Sequence, residues 1–349
     1  MKEIKINNTI ISKDSPCYII AEMSANHNGN FDNAVELIKQ CKEAGADAIK
    51  LQTYTADTIT IDCNNEYFQI NQGTLWDGRV LYDLYKEAYT PWDWQPKLKK
   101  IADDLGITLF SSPFDKTAVD FLEKMDVEAY KVASFEITDI PLIEYIASKN
   151  KPVIMSTGIS TLADIELAIN ACKKVGNNDV ILLKCTSAYP APYEEINLNT
   201  MKNMSETFNV VTGLSDHSLG IEIPVAAVAL GAKVIEKHVT LKRSNGGVDS
   251  EFSLEPHELK AMIQAIRNTE KALGIITYEL SAKSIKSREF SRSLFIVKDV
   301  LSGETLTDEN VRSIRPGYGM HPKYLSDVLG KAATMDMKKG TPLKWEFIK

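Results

Sequence analysis

Eight short apolar runs, spread over roughly the first 275 residues, limit the fold of this chain more than any other feature of its sequence. Their almost continuous Ile, Val, Leu and Ala content is typical of strands that are buried on both faces. Helical patterns such as 33–44, 162–175 and 256–273 lie between the runs, and this alternation indicates parallel strands joined by right-handed crossovers. We therefore predict an α/β fold, a (β/α)8 barrel with strands at 18–23, 46–52, 107–111, 129–133, 152–156, 180–185, 209–214 and 233–238.

Each run ends in side chains that can hold a proton, a phosphate or a metal. A parallel barrel gathers the carboxyl ends of all its strands at one face, so polar residues placed only there converge on a single pocket. The residues in question are Glu22, Lys50, Ser112, Lys131 with Ser134, Ser156 with Thr157, Lys184 with Thr186, Ser215 with His217, and Glu236 with His238. The spacing predicts an active site at this end of the barrel.

Composition restricts the classes of function open to such a barrel. A formal net charge of -7 argues against nucleic acid or an anionic membrane as the main partner. No apolar run approaches the roughly 20 residues that span a bilayer, and the amino-terminal residues do not resemble a signal peptide. The five cysteines have neither paired nor CxxC spacing, so a cytoplasmic protein is expected.

The character of the sequence changes after the last helical pattern. Residues 276–289 are polar and without a clear period, and short strand and turn patterns follow from residue 290 onward. We predict a barrel domain at 1–275, a linker at 276–289 and a small, mainly β domain at 290–349, too small to bury a large core of its own. One long insertion, 54–90, carries aromatic residues and is typical of a lid or substrate wall.

Three lysines, Lys50, Lys131 and Lys184, are predicted at the mouth of the barrel. Burying an ammonium group without a partner is costly, so the cluster requires carboxylates or a multiply charged anion nearby. Lysine suits a phosphate oxygen, and the strand-end hydroxyls can donate to the same anion. The alternative is that each lysine forms a structural ion pair with a neighbouring Asp or Glu.

Two of the five histidines, His217 and His238, end adjacent runs. Imidazoles at neighbouring strand ends can share a divalent metal whose remaining positions stay open to water and substrate. A catalytic acid–base pair and satisfied core histidines are the alternatives. Glu22, Glu136 and Asp249 are the carboxylates best placed to move protons here, although each could equally neutralise a lysine.

Ordered motifs along essentially the whole chain resemble the sialic acid synthase family. They are Ile-Ala-Glu-Met-Ser-Ala-Asn-His-Asn-Gly (20–29), Ala-Gly-Ala-Asp-Ala-Ile-Lys-Leu-Gln-Thr (44–53), Ser-Ser-Pro-Phe (111–114), Ala-Tyr-Lys-Val-Ala-Ser-Phe-Glu (129–136), Ser-Thr-Gly (156–158), Leu-Lys-Cys-Thr-Ser-Ala-Tyr-Pro (183–190), Gly-Leu-Ser-Asp-His-Ser (213–218), Ile-Glu-Lys-His (235–238) and Ile-Arg-Pro-Gly-Tyr-Gly (314–319). The resemblance implies a barrel followed by an antifreeze-like domain. It also implies a reaction that joins phosphoenolpyruvate to an open-chain N-acyl amino sugar and water, with release of phosphate, using a divalent metal such as Mn²⁺, Mg²⁺ or Co²⁺.

The same resemblance implies roles for individual residues. Phosphoenolpyruvate contacts fall on Lys50, Ser112, Lys131, Ser134, Ser156, Ser187 and Ser215, and metal ligation falls on His217 and His238. The sugar and the reacting centre involve Tyr189, Phe290, Arg315, Glu22, Glu136 and Asp249. In this family the arginine that matches Arg315 comes from the antifreeze-like domain of the other protomer, so a domain-swapped homodimer is implied.

Within the family, the insertion at 73–85 and the segment 315–323 are similar to the branch that makes pseudaminic acid. The chain departs from the N-acetylneuraminate branch at Ser187, where that branch commonly has Asn, and at Trp76. The expected sugar is a 2,4-diacetamido-2,4,6-trideoxy hexose (6-deoxy-AltdiNAc), held against an aromatic wall of Trp76 and Tyr82. The alternatives are N-acetylneuraminate or legionaminic acid synthesis from N-acetylmannosamine or a related sugar, a metal-dependent pyruvate aldolase, and a non-catalytic sugar- or phosphate-binding protein.

Overall fold

The computed structural model describes residues 3–71 and 73–349. The chain divides into two compact units, Met1–Gly274 and Ile275–Lys349. None of the helices in the described ranges has the length and apolar character required to cross a bilayer.

An antiparallel hairpin precedes the barrel and has no counterpart among the predicted elements. It consists of Ile4–Ile6 (β1) and Thr9–Ile11 (β2). Its buried isoleucines belong to the same apolar core as Tyr18 and Val234, which begin two of the barrel strands. The hairpin therefore packs at the amino-terminal end of the barrel, away from the carboxyl ends of the strands.

Eight parallel strands of the first unit form a closed barrel, as predicted. They are Tyr18–Glu22 (β3), Ala48–Thr53 (β4), Thr108–Pro113 (β5), Tyr130–Val132 (β6), Val153–Ser156 (β7), Val180–Cys185 (β8), Val211–Asp216 (β9) and Val234–His238 (β10). They follow one another around the barrel in chain order, and β10 closes the ring against β3. Almost every strand residue is buried, which accounts for the continuous apolar sequence.

The helices described in the first unit lie in the connections between the barrel strands and after the last strand. They are Phe31–Ala44 (α1), Ala56–Ile59 (α2), Leu81–Ala88 (α3), Gln95–Leu105 (α4), Lys116–Lys124 (α5), Ile140–Ala147 (α6), Leu162–Lys174 (α7), Tyr193–Ile196 (α8), Asn199–Phe208 (α9), Glu222–Ala229 (α10) and Pro256–Leu273 (α11). Local chemistry sets several of their ends. The Thr161 side chain accepts from the Asp164 backbone N–H at the start of α7, and Gly45 ends α1 in a left-handed conformation (φ 97°) that disfavours other residues.

The second unit is small and mainly β, as predicted. Its strands Ser293–Ile296 (β11) and Val311–Ile314 (β12) pair in antiparallel fashion, with Ser293 opposite Ile314. The short helices Ala282–Ser287 (α12) and Leu325–Val328 (α13) belong to the same unit, and isolated bridges such as Val300 to Met337 add further β contacts. A separate core cluster that includes Leu294 and Ile296 stabilises the unit.

Candidate active site

A buried ion cluster lies at the carboxyl ends of β3, β4, β5 and β10. The Lys50 ammonium is 2.6 Å from Glu22 Oε2 and 3.8 Å from Glu236 Oε1, and it donates to Ser112 Oγ at 3.3 Å. Ser215 Oγ, at the end of β9, donates to Glu236 Oε1 at 3.0 Å. Because they all lie at the carboxyl ends of barrel strands, residues more than 200 positions apart in the chain come together here.

The two carboxylates of this cluster differ in their proton affinity. Burial raises the pKa of Glu22 to about 7, although the Lys50 charge opposes the rise. Burial also acts on Glu236, but the charges of Lys131 and Lys50 outweigh it and hold the pKa of Glu236 below its usual range. Burial similarly opposes the charge on Lys50, and its two carboxylate neighbours still raise the pKa of that ammonium. Glu236 is therefore the permanent counter-ion, whereas Glu22 can exchange a proton near neutral pH.

Lys131 differs from Lys50 in having no carboxylate of the described residues in direct contact. Its side chain is 1% exposed and donates to Ser156 Oγ at 2.7 Å and to the Val132 carbonyl oxygen at 2.9 Å. Within residues 3–71 and 73–349, no ion pair joins it to a carboxylate. Burial lowers the pKa of Lys131, only partly opposed by the more distant Glu236. A buried ammonium in this state is poised to bind an anion.

Two further hydroxyls, those of Ser134 and Ser187, lie around Gly158. The Gly158 backbone N–H donates to Ser134 Oγ at 3.1 Å. A Cβ at Gly158 would overlap Ser187 Oγ and lie 2.8 Å from Ser134 Oγ and 3.1 Å from Cys185 Sγ. A side chain at this position would force these groups to move, so the glycine lets the two hydroxyls lie close to the backbone. Such a cradle suits phosphate oxygens.

The two imidazoles predicted as metal ligands lie next to each other. The rings of His217 and His238 have centroids 5.2 Å apart. His217 Nδ1 is 3.1 Å from the Thr186 carbonyl oxygen, so Nδ1–H donates there and leaves the Nε2 lone pair free. Burial and the neighbouring His217 hold the pKa of His238 well below its usual range, which keeps that ring neutral. His238 Nδ1 is buried without a hydrogen-bond partner among the described residues.

These observations fit a divalent metal held by two protein ligands. No group of three or more His, Cys, Asp and Glu side chains in the described part of the chain could hold a metal by itself. Burial acts to lower the pKa of His217, but the neighbouring Cys185 outweighs it and raises that pKa. Once His217 has released its proton, it and the neutral His238 supply the donor atoms that Zn²⁺, Mn²⁺ or Co²⁺ accept, and they leave positions for substrate and water. Asp249 Oδ2 is 3.9 Å from His238 Nδ1, so a carboxylate lies beside the same ring.

The remaining predicted carboxylates also lie at this end of the barrel. Asp249 accepts a hydrogen bond from Ser24 Oγ, and burial raises its pKa despite that bond. Burial raises the pKa of Glu136 to about 7, against the charge of Lys131. Glu136 Oε2 is buried and has no hydrogen-bond partner in the described ranges. Glu136 can therefore give or take a proton near neutral pH.

An aromatic wall flanks the imidazole pair. The Tyr189 ring lies 4.6 Å from the His217 ring and 5.4 Å from the Trp76 ring, measured between centroids. Trp76 Nε1 donates to the Val248 carbonyl oxygen at 3.1 Å, which fixes the insertion against the loop that follows β10. Tyr82 was expected in the same wall and is not in it: its hydroxyl donates to Asp57 at 3.1 Å.

One predicted mouth lysine does not join the site. Lys184 is half-buried and donates to the Cys185 carbonyl oxygen at 2.6 Å, and it forms no ion pair with a described carboxylate. Its neighbour Cys185 faces the pocket instead, with Sγ 3.8 Å from His217 Nδ1. Side chains alternate along a strand, so Cys185 and Lys184 cannot both face inward.

Two residues predicted at the sugar, Phe290 and Arg315, belong to the second unit. Phe290 is 70% exposed at the end of the short helix Arg288–Phe290, and Arg315 directly follows β12. The sequence reasoning also missed Phe252, whose ring lies 5.0 Å from the His238 ring and 5.3 Å from the Tyr189 ring. Phe252 has no local sequence signal, because its contacts arise only when the loop after β10 folds back.

Comparisons with known proteins agree with this architecture. The NeuB family matches residues 37–278 and the SAF domain matches residues 291–349. A pseudaminic acid synthase of Campylobacter jejuni is 48% identical over 331 residues, which are 95% of this chain and 96% of that protein. A pseudaminic acid synthase of Helicobacter pylori is 44% identical over 334 residues, 95% of this chain and 98% of that protein. The solved structure of N-acetylneuraminic acid synthetase from Leptospira borgpetersenii, in complex with citrate, matches this chain with a TM-score of 0.73 and 33% sequence identity. The match covers 82% of this chain and 95% of the Leptospira chain.

The barrel, the pocket at its carboxyl end and the small β unit define a (β/α)8 enzyme with an appended domain. The chain belongs to the NeuB family, whose members are phosphoenolpyruvate-dependent nonulosonic acid synthases and are generally metal-dependent. Its second unit contains a SAF (antifreeze-like) domain. The resemblance to the sialic acid synthase family is thereby confirmed.

Proposed function

We propose that the chain is a pseudaminic acid synthase, which condenses phosphoenolpyruvate, water and open-chain 6-deoxy-AltdiNAc to pseudaminic acid and phosphate. The main support is that a buried cation cluster adjoins a pair of imidazoles in a chain 48% identical to a pseudaminic acid synthase. The proposal includes a cytoplasmic location and the domain bounds 1–275, 276–289 and 290–349.

Lys50 and Lys131 hold the anionic groups of phosphoenolpyruvate in this proposal. Lys131 forms no direct ion pair with a described carboxylate, and it donates to Ser156 Oγ. The hydroxyls of Ser134 and Ser187 lie at Gly158. Ser112 and Ser215 take the same role beside Lys50 and Glu236. Several charge-assisted hydrogen bonds made at once fix the enol carbon in position for attack.

His217 and His238 hold the divalent metal, which is Mn²⁺, Mg²⁺ or Co²⁺. A metal held there would supply Lewis-acid chemistry to the aldehyde oxygen of the sugar and to a water. The Thr186 carbonyl oxygen fixes the His217 tautomer with Nε2 available, and Asp249 lies beside His238.

The bond changes follow from this arrangement. C3 of phosphoenolpyruvate bonds to the aldehyde carbon, whose oxygen takes up a proton, and a water adds to C2 and loses a proton. The tetrahedral centre then expels phosphate by cleavage of its C–O bond, which leaves the keto group of the product. Glu22 and Glu136 move the protons, because burial raises the pKa of each to about 7.

Trp76 and Tyr189 form the apolar side of the sugar site. A 6-deoxy sugar with two acetamido groups presents methyl groups where N-acetylmannosamine presents hydroxyls, and an aromatic wall beside His217 suits methyl groups. We further propose a domain-swapped homodimer in which Phe290 and Arg315 reach the sugar in the partner's barrel. The strong exposure of apolar residues such as Tyr278 (97%) and Phe290 (70%) supports a second copy as their cover.

A panel of sugars tests the substrate. The chain is incubated with phosphoenolpyruvate, Mn²⁺ and one of 6-deoxy-AltdiNAc, N-acetylmannosamine or the legionaminic acid precursor, and phosphate release and product mass are measured. We expect the highest kcat/KM with 6-deoxy-AltdiNAc. A preference for either other sugar would assign the alternative synthase, and carbon–carbon bond formation from pyruvate without phosphate release would assign an aldolase.

Two variants test the residue roles. His217→Ala is expected to remove metal-dependent turnover while the circular dichroism spectrum stays unchanged; full activity after metal reconstitution would contradict the assignment. For the dimer, Arg315→Ala and Glu136→Gln chains are co-expressed, because a mixed dimer retains one barrel with Glu136 and, from the other chain, one intact Arg315. Recovery of activity that neither variant has alone supports the swapped arrangement, and no recovery refutes it.

A further inference from the structure

A second buried ion pair lies directly behind the imidazole pair. Lys237 Nζ is 2.5 Å from Asp216 Oδ2, and both side chains are almost fully shielded from solvent. Lys237 and Asp216 are also register partners in neighbouring strands β10 and β9. The next residue in each strand direction carries an imidazole, His238 and His217. The ion pair therefore links the two strands at the position just before the two proposed ligands.

Lys237 binds the residues on both sides of His217. Besides Asp216, its ammonium donates to the Ser218 carbonyl oxygen. Asp216 in turn accepts from the Ser218 backbone N–H at 3.1 Å and from Ser218 Oγ at 2.8 Å. His217 lies between the two residues so held, and its own carbonyl oxygen accepts from the Ala191 N–H at 3.0 Å. The backbone that carries the His217 ring is thus fixed from both directions.

Stability alone does not account for this pair. Two charges taken out of water lose hydration that their mutual attraction only partly restores, and a well-packed apolar pair of similar size is often as stable or more so. Apolar contacts are not directional, so an apolar pair would not select one backbone geometry around His217. We propose that Asp216 and Lys237 are positioning residues, which set the separation and orientation of the two imidazoles for the metal. This inference rests on the proposed function, because it presumes that His217 and His238 hold that metal.

The test replaces the pair by apolar residues of similar size, Asp216→Leu together with Lys237→Met. Mn²⁺ binding to the ligand-free protein is measured by electron paramagnetic resonance, and phosphoenolpyruvate binding without metal is measured by calorimetry. Loss of residues that orient a metal ligand typically weakens metal binding about 10- to 100-fold, and we expect a loss in that range here. Phosphoenolpyruvate binding should change less than about threefold, because Lys50 and Lys131 remain; a purely structural role would weaken both ligands together.

A matched control removes an ion pair of the helix layer. Glu144→Leu with Lys174→Met deletes a 2.7 Å pair between α6 and α7 and should leave Mn²⁺ binding unchanged. If the Asp216/Lys237 double variant folds and binds Mn²⁺ as tightly as the unmodified chain, the inference is wrong. If the double variant does not fold, Asp216→Asn replaces it, because this change keeps the size of the side chain but removes the charge that pairs with Lys237, and an unchanged Mn²⁺ affinity in that variant also overturns the inference. If the unmodified chain and His217→Ala bind Mn²⁺ equally, the proposed metal site itself is wrong, which is a different result.

Discussion

Replacing Lys131 by Met separates a binding role from a structural one. The Lys131 ammonium is buried, donates to Ser156 Oγ at 2.7 Å and has no ion-pair partner among the described carboxylates. If an anionic substrate supplies the missing charge, the lysine matters most when that substrate is bound. If the lysine is structural, its loss instead weakens the ligand-free protein.

The expected magnitude follows from the burial of the group. Truncating one partner of a buried, hydrogen-bonded charge pair costs about 2–5 kcal/mol. Since about 1.4 kcal/mol corresponds to a factor of ten, phosphoenolpyruvate affinity should fall roughly 30-fold to 4,000-fold. The ligand-free protein, in contrast, loses a charge that burial already disfavours, as the lowered pKa of Lys131 indicates. Its melting temperature should therefore stay constant or rise.

Titration calorimetry with phosphoenolpyruvate and thermal unfolding without ligand measure the two quantities. Lys50→Met serves as the control, because it breaks the 2.6 Å pair with Glu22 and should lower the melting temperature. Phosphoenolpyruvate affinity within twofold of the unmodified chain in Lys131→Met would refute the anion-binding role. A lower melting temperature in that variant with unchanged affinity would assign Lys131 to the structure of the barrel.

Three further changes test other parts of the site. The folded chain binds the Glu136 proton more tightly than the unfolded chain, because its pKa rises from 4.5 to about 7, so this contribution to stability is present below about pH 4.5 and is lost as the pH rises through 7. Glu136→Gln should remove this decrease in stability between about pH 5 and pH 8, which thermal unfolding over that range measures. If the melting temperatures of both proteins depend on pH in the same way, the reasoning is wrong. Gly158→Ala should weaken phosphoenolpyruvate binding at least about tenfold, because the new Cβ overlaps Ser187 Oγ; calorimetry that finds normal affinity would contradict the cradle. Trp76→Phe keeps an aromatic ring but removes the N–H donor to Val248, so sugar KM should rise by up to about tenfold while phosphoenolpyruvate KM stays constant, and steady-state kinetics would refute this if both constants move together.

The barrel was predictable because its strands are buried on both faces. The predicted strand 180–185 coincides with β8, and the other seven begin or end within two residues of the observed bounds. The β1–β2 hairpin was not predictable in the same way. Its two strands have three residues each, and only alternate residues such as Ile4 and Ile6 are buried. Such short alternation carries too few residues to distinguish a strand from a loop.

The position of a residue at the carboxyl end of a predicted strand indicated that it reaches the mouth of the barrel. That position could not indicate whether its side chain points into the barrel or out of it. Lys131 and Lys184 occupy similar places in their runs, yet only Lys131 faces the pocket. A shift of one residue in register moves a side chain to the other face of the strand, and no local pattern fixes that register. The same uncertainty hid Cys185, which takes the inward position beside Lys184.

The unequal carboxylates around Lys50 explain how a site built for anions can still move protons. A pocket with ionised carboxylates would repel phosphoenolpyruvate, whereas one without them would leave two buried lysines uncompensated. Glu236 compensates the charge of the lysines, because Lys131, Lys50 and the Ser215 hydroxyl all favour its ionised form. Glu22 reduces the repulsion of phosphoenolpyruvate, because burial lets it hold a proton near neutral pH although it lies 2.6 Å from Lys50. An incoming anion raises the pKa of nearby carboxyls further, so Glu22 becomes less charged as the substrate arrives, and the proton it then holds is available for the chemistry.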